Sequence, residues 1–382
     1  MDTPWGKPVS SMLAYQPAAG RQTASPPRSD DLPATVRAVL TRIAVGDHVA
    51  SDAFADAFQA SVDLPAPTRD VVLGSLMTAV MARGPAVDDV EALLRSALAV
   101  DGREPAEMIS GGDRPMLMLA GSGKKGLRTL NVSTPAALVA AAAGARVIKV
   151  GSAATSSALG SRDLVRALGL REHRTADGVR ADLAVSGFAF VAIEPEIPVL
   201  DRLYGGRFHA PNPFSFGLAP LASPVRGDVT IFGLSHPCVD VAARVLSRFG
   251  MNHVDVLSTR LPGGHYLDEI GPAGELRWCR VRDGEVSPVD VEPAEGWTAI
   301  GLPGELPTPH GPEEAIERTG ELLTGRGLES HRALVALNAA HLLVLSGLAA
   351  SLPQGRNLAE DILRSGTALA RVPAARSADR SA

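Results

Sequence analysis

Apolar residues between Leu32 and about Val100 recur at helical spacing. Val36, Val39, Leu40 and Ile43 form one stripe. Phe54, Phe58 and Val62 form a second, with Ser51 or Asp52 placed as its cap. Val72, Leu73, Leu76 and Val80 form a third, and Val87 to Leu98 a fourth with Asp88 and Asp89 in its first turn. Four short helices without strands predict a small helical domain over 32–103, with part of 195–216 as a further candidate member. After Arg103 the pattern changes to short apolar runs alternating with helical ones. The runs Met116–Ala120, Arg146–Val150, Phe188–Ile193, Val229–Leu234 and Val254–Leu257 read as strands. Pro135–Ala143, Asp163–Leu168 and Cys238–Phe249 read as the helices between them. This alternation predicts an α/β fold with a mainly parallel central sheet flanked by helices, over 104–372. Glu275–Val281 and Val286–Val291, around the turn Asp283-Gly284, predict an antiparallel hairpin. From Glu313 the chain is helical again, ending in a helix over Leu358–Ala370. Residues 1–31 and 373–382 have no periodicity and read as tails.

Composition narrows the function classes. A formal charge of −5 argues against nucleic acid as a partner. The two cysteines, Cys238 and Cys279, exclude a disulfide framework and a cysteine-rich zinc site, and point to a reducing, cytoplasmic compartment. The first residues lack a long apolar core, so no secretory signal is expected, and no run has membrane character. The chain uses arginine almost throughout; its lysines are Lys7, Lys124, Lys125 and Lys149, three of them within one short stretch. A compact ammonium suits phosphate oxygens in a way that arginine does not replace.

The window Arg114–Arg162 contains no acidic residue yet holds seven basic ones, which predicts a local positive potential for a polyanionic ligand. Within it, a strand runs into Gly121-Ser122-Gly123-Lys124-Lys125-Gly126, whose glycines let backbone N–H groups approach a phosphate. A dinucleotide fingerprint wants an acid about 20 residues on, and the first is Asp163. A Walker loop fails because Met118 and Lys125 occupy required positions. Asn131-Val132-Ser133-Thr134-Pro135 then opens an alanine-rich helix, with Thr134 as expected N-cap and Pro135 at the first position. Such a helix start favours an anion. A second strand ends at Lys149-Val150-Gly151-Ser152 and leads through Ser156-Ser157 to Gly160-Ser161-Arg162-Asp163 and another helix.

These motifs, with Leu267-Asp268-Glu269 and Leu337-Asn338-Ala339-Ala340, occur in order and at matching spacing. In them the chain resembles the anthranilate phosphoribosyltransferase family over about residues 35–372. The resemblance implies a donor, phosphoribosyl pyrophosphate, bound with Mg²⁺, and a homodimer. Gly121, Ser122, Gly123, Lys124, Lys125, Asn131, Ser133, Thr134, Lys149 and Ser157 would bind the donor. Ser133, Asp268 and Glu269 would hold Mg²⁺, and Lys149, Asp268 and Glu269 would carry the chemistry. Val150, Ser152 and Arg207 would fall on the acceptor side.

The departures are local. Family members that use anthranilate place His, Asn and Arg where this chain has Val150, Ser152 and Ala153, and Gly-Asp where it has Lys124-Lys125. The expectation is therefore phosphoribosyl transfer to an acceptor other than anthranilate. Anthranilate itself, a nucleoside phosphorylase, or a non-enzymatic anion-binding scaffold are the alternatives. His209, His236, His265 and His310 are candidate bases, with His265 favoured by its place before the acidic pair.

Overall fold

The computed structural model describes residues 32–123, 130–154, 159–205, 207–271, 273–290 and 308–370. Both expected tails, Lys124, Lys125 and Ser157 lie outside them. The chain opens with α1 (Ala34–Ala44), α2 (Ser51–Ser61), α3 (Ala66–Ala82) and α4 (Val87–Ala99). Their buried faces are the four predicted stripes, including Val36, Phe54, Phe58, Leu76 and Leu93. Ser51 does not cap α2. Its hydroxyl donates to Asp89 Oδ1 at 2.7 Å, so it ties α2 to α4 instead. Asp89 is buried and also pairs with Arg83, whose guanidinium lies over the Phe54 ring. The turn Pro213–Phe216 packs against α3 and α4.

There follow β1 (Glu107–Met108), β2 (Met116–Gly121), α5 (Ser133–Ala142), β3 (Arg146–Gly151), α6 (Ser161–Ala167), α7 (Ala176–Ser186) and β4 (Phe188–Ala192). Next come α8 (Pro198–Tyr204), α9 (Leu218–Leu221), β5 (Val225–Arg226), β6 (Val229–Gly233), α10 (Val239–Arg248) and β7 (His253–Arg260). The chain continues through β8 (Tyr266–Leu267), β9 (Glu275–Arg282), β10 (Glu285–Pro288), α11 (Pro312–Leu323), α12 (Glu329–Leu345) and α13 (Leu352–Ser365). The main sheet runs β10-β9-β7-β6-β2-β3-β4, with β8 on β7. Strands β7, β6, β2, β3 and β4 are mutually parallel, and β8, β9 and β10 are antiparallel. The β9–β10 turn places Asp283 and Gly284 at φ 52° and 83°, the left-handed pair that an Asp-Gly hairpin requires.

Side chains alternate across the sheet, and the two faces have separate cores. Leu117, Leu119, Val147 and Phe190 pack with α5, α12 and α13 on one face. Met118, Ile148, Val150 and Phe232 join α1–α4, α7 and α10 in a continuous core on the other. Helix α5 is buried from Thr134 to Ala141, between the sheet and α12, which explains its run of small residues. Its start also differs from expectation: α5 begins at Ser133, and Asn131 Oδ1 accepts from the Thr134 N–H at 3.2 Å. Val132, not Thr134, is the N-cap residue, and Asn131 just before it takes up the Thr134 N–H. Helix α13 begins at Leu352 and stops at Gly366, where φ is 68°. It therefore starts and ends earlier than the predicted Leu358–Ala370, because Pro353 sits in the first turn, where its missing N–H costs nothing. No helix among the described residues is long and apolar enough to cross a membrane.

Candidate active site

A cleft of about 470 Å³ opens at the C-terminal ends of the parallel strands. It lies where β3 leaves β2 on one side and β6 lies on the other, the reversal point at which open α/β sheets bind ligands. Gly121, Ser122, Gly123, Asn131, Ser133, Lys149, Val150, Ser152, Asp268 and Glu269 all border it. Ten residues expected from the sequence are thus brought to one cavity. Thr134 is fully buried behind it and Arg207 is not among its lining residues.

The β2 and β6 ends are fastened together. Ser122 N–H donates to the Gly233 carbonyl at 2.9 Å, and Ser122 Oγ accepts from Ser235 N–H at 2.8 Å. Asp268 lies against both strand ends: a β-carbon at Gly121 would stand 2.7 Å from its Oδ2, and one at Gly233 would stand 1.8 Å from its carbonyl oxygen. Only glycine admits the acidic loop this close to the sheet. Asp268 Oδ2 also accepts from Gly123 N–H at 3.0 Å. This alters the role expected for the glycine turn. The N–H groups of Ser122 and Gly123 are engaged within the protein, where the sequence suggested that they face a phosphate. Glu269, 5% exposed, follows directly. Its carbonyl accepts from Thr259 Oγ1 at 2.8 Å, and Asn338 of α12 pairs with both backbone groups of Ile270, at 3.0 and 2.9 Å.

Strand β3 contributes to both halves of the cleft. Lys149 is in register with Leu119 and Phe190 and faces α5, whereas Val150 faces the helical side of the sheet. Lys149 is 1% exposed, and its Nζ donates to the Val150 carbonyl at 2.6 Å. Asn131 Nδ2 donates to Ser161 Oγ at 3.3 Å, which joins the starts of α5 and α6. Ser152 Oγ donates to the Ala153 carbonyl at 3.1 Å, and Ala153 N–H to Glu194 Oε1 at 2.5 Å.

The positive zone expected across Arg114–Arg162 is divided by the fold. Arg146 stands at the opposite end of β3, where it bonds the Gly111 carbonyl and lies 3.9 Å from Asp113. Arg162 reaches the cleft but is held by Glu172 at 3.0 Å and Glu194 at 3.6 Å. Burial alone would raise the Glu172 carboxyl; hydrogen bonds from Arg162 and Arg166 outweigh it and hold that carboxyl below its usual range. Arg207 is also committed, 2.5 Å from Asp70 of α3 on an exposed surface. An absence of acids in sequence therefore did not produce an absence of acids in space, because β4 and α6 bring their own.

None of the four candidate histidines borders the cleft. His265 is exposed in the turn before Asp268. His236 packs edge-on against Phe216, and burial pushes its imidazole down. The histidine at the cleft is His341 of α12, 3.3 Å from Asp255. Glu194, Asp201, Tyr204 and Phe214 also border it. Of these, Glu194 alone had a signal in the sequence: it follows a predicted strand directly, the same position that marked Ser122 and Ser152. Burial raises the Asp201 carboxyl above its ordinary value, against the pull of Arg162 and Arg202.

Residues 114–369 match the family model described as glycosyl transferase family, a/b domain. With the α/β fold and the cleft at the strand ends, this defines an enzyme of the pentosyltransferase class. The anthranilate phosphoribosyltransferase of Sorangium cellulosum is 32% identical over 340 residues, covering 83% of this chain and 92% of that protein. That of Tolumonas auensis is 31% identical over 313 residues, covering 79% and 87%. The chain belongs to the anthranilate phosphoribosyltransferase family. The crystal structure of the Thermus thermophilus enzyme of that name aligns with a TM-score of 0.63 and 27% identity, over 87% of this chain and 96% of that one. The Saccharomyces cerevisiae enzyme in complex with phosphoribosyl pyrophosphate and Mg aligns at 0.64 with 20% identity, over 88% and 96%, and shares the fold.

Proposed function

We propose that this enzyme transfers a 5-phosphoribosyl group from phosphoribosyl pyrophosphate to a small acceptor other than anthranilate, with Mg²⁺, in the cytoplasm. The observation that carries the reading is the gathering of Asn131, Ser133, Lys149, Asp268 and Glu269 around one cleft in a chain of this family. The attacking atom forms a bond to the anomeric carbon as the bond from that carbon to pyrophosphate oxygen breaks. The electron pair leaves on pyrophosphate, and the proton of the attacking group passes to solvent. Lys149, on the α5 side of the sheet, faces the donor's anionic end. Lys124, Lys125 and Ser157 belong to the same reading.

The residues present fit the metal. Asp268, Glu269 and Ser133 offer hard oxygen atoms, and among the described residues no three His, Cys, Asp or Glu side chains form a closed cage. Mg²⁺ favours such a partial set because it keeps waters and takes phosphate oxygens. When bound, it would neutralise the departing pyrophosphate. The acceptor assignment is supported by Val150, Ser152 and Ala153, which offer no charged group where anthranilate-using members place His, Asn and Arg. A second reading, anthranilate itself, is favoured by the names of the relatives. The homodimer implied by the resemblance is tested by light scattering.

The deciding experiment is product mass spectrometry after incubation with Mg²⁺, phosphoribosyl pyrophosphate and an acceptor panel including anthranilate. The expected result is a phosphoribosyl adduct of a compound other than anthranilate. Efficient turnover of anthranilate, about 10⁴ M⁻¹s⁻¹ or more in kcat/KM, would restore the second reading. Failure of calorimetry to detect donor binding with Mg²⁺ would remove both.

A further inference from the structure

The acceptor side of the cleft has walls of Ile193, Ile197, Phe214, Leu218 and Ala219, all bordering the cavity. Its charged groups are Arg162, Glu194 and Asp201. Arg162 is already matched: its Nε lies 3.1 Å from both Glu172 oxygens, and its Nη1 lies 3.6 Å from Glu194 Oε2. Glu194 is itself occupied in part by the Ala153 N–H. Asp201 is different. Its carboxylate makes no hydrogen bond or ion pair among the described residues, and its charge is only partly solvated. The carboxylate folds back over Gly205, where a β-carbon would stand 2.2 Å from Oδ1, and both residues border the cavity. Arg162 and the adjacent Arg202 pull on the carboxylate only from beyond hydrogen-bond reach, and Arg207 is turned away to Asp70.

A carboxylate entering this half would meet the Asp201 acid, while Arg162, the cation that borders the cavity here, is already held by Glu172 and Glu194. Two like charges in a partly desolvated site repel strongly, and a buried acceptor oxygen left without a donor costs further. A group that donates N–H bonds would instead complete Asp201. We propose, as a refinement of the phosphoribosyl-transfer reading, that the acceptor is a ring-bearing amine without a carboxylate, carrying a second N–H donor that meets Asp201. The apolar walls hold the ring, and Asp201 selects against an acidic substituent and for a donating one.

The test measures pyrophosphate release with three probes of nearly equal size: anthranilate, 2-aminobenzamide and 1,2-diaminobenzene. On the native enzyme, kcat/KM for 1,2-diaminobenzene and 2-aminobenzamide should exceed that for anthranilate by about tenfold or more. Asp201→Asn is isosteric and should narrow that ratio at least about threefold by improving anthranilate. Anthranilate used as well as the neutral probes would overturn the inference, as would a ratio unmoved by Asp201→Asn. No release above the acceptor-free blank with any probe, while the donor still binds with Mg²⁺, would also overturn it and leave the donor assignment intact. Absence of donor binding would instead strike the phosphoribosyl reading itself.

Discussion

Asn338 holds the backbone of Ile270 by both its groups, its Oδ1 accepting the N–H at 3.0 Å and its Nδ2 donating to the carbonyl at 2.9 Å. A side chain on α12 thereby does for the acidic loop what a neighbouring strand does for a sheet. Asn338→Ala leaves two buried backbone groups unpaired, at a cost of about 2 kcal/mol in unfolding free energy. The same variant should need more Mg²⁺ for half-maximal activity, because Asp268 and Glu269 lose their fixed position. Chemical denaturation and a Mg²⁺ titration check the two effects separately.

Gly121→Ala drives a methyl group to within 2.7 Å of Asp268 Oδ2. Asp268 must then move, and displacements of about 1 Å at a reacting site cost up to about 100-fold in rate. Steady-state turnover should fall by that order while the far-ultraviolet spectrum is unchanged. Full activity would show that the acidic loop tolerates relocation.

Asp268→Asn combined with Glu269→Gln removes two negative charges from the site at nearly constant shape. Turnover is expected to drop at least about 100-fold, and donor affinity should lose its dependence on Mg²⁺. Calorimetry with and without chelator reads the second effect. Retained Mg²⁺ dependence in the double variant would place the metal elsewhere.

Asp255 is completely buried beneath the same floor, bonded bidentately by Arg280 at 2.9 and 3.0 Å and approached by His341. Burial alone would raise its carboxyl; the bonds from His341 and Arg280 outweigh this and hold it well below the usual carboxylate range. The folded state therefore favours the ionised form. The resulting stability is complete above the unfolded-state pKa of about 3.9 and is lost progressively as pH falls below that value. Stability measured from pH 6 down to pH 3 should decline more steeply for the native chain than for Asp255→Asn. That variant should itself be less stable at neutral pH by about 3 kcal/mol, since it strands Arg280 and also Arg282, whose Nη2 lies 3.2 Å from Asp255 Oδ1.

Much of the architecture was legible because each principal strand is an uninterrupted apolar run and each early helix has a clean stripe. Met116–Ala120 and Arg146–Val150 appear within one residue of their structural ends. Helix α7 was not legible: it opens on Ala176-Asp177-Gly178, which reads as a turn until Thr175 accepts the Gly178 N–H and caps it. The donor side could be read because its residues follow strand ends in short, ordered motifs. The acceptor side could not. Asp201 and Tyr204 reach the cleft from a helix whose start is held by Asp101, and Phe214 from a turn packed against α3 and α4, and no local pattern records that. Arg207 misled for the same reason, since its partner Asp70 is remote in sequence.

Fastenings of the acidic loop come from Gly123, Thr259 and Asn338, spread over more than half the chain. A ribosome making this protein delivers Gly123 early and Asn338 near the end. A nascent chain lacks the tether on Ile270 until α12 has emerged. The order of the acidic loop thus depends on a residue near the far end of the chain, and a copy cut before α12 would lack that tether.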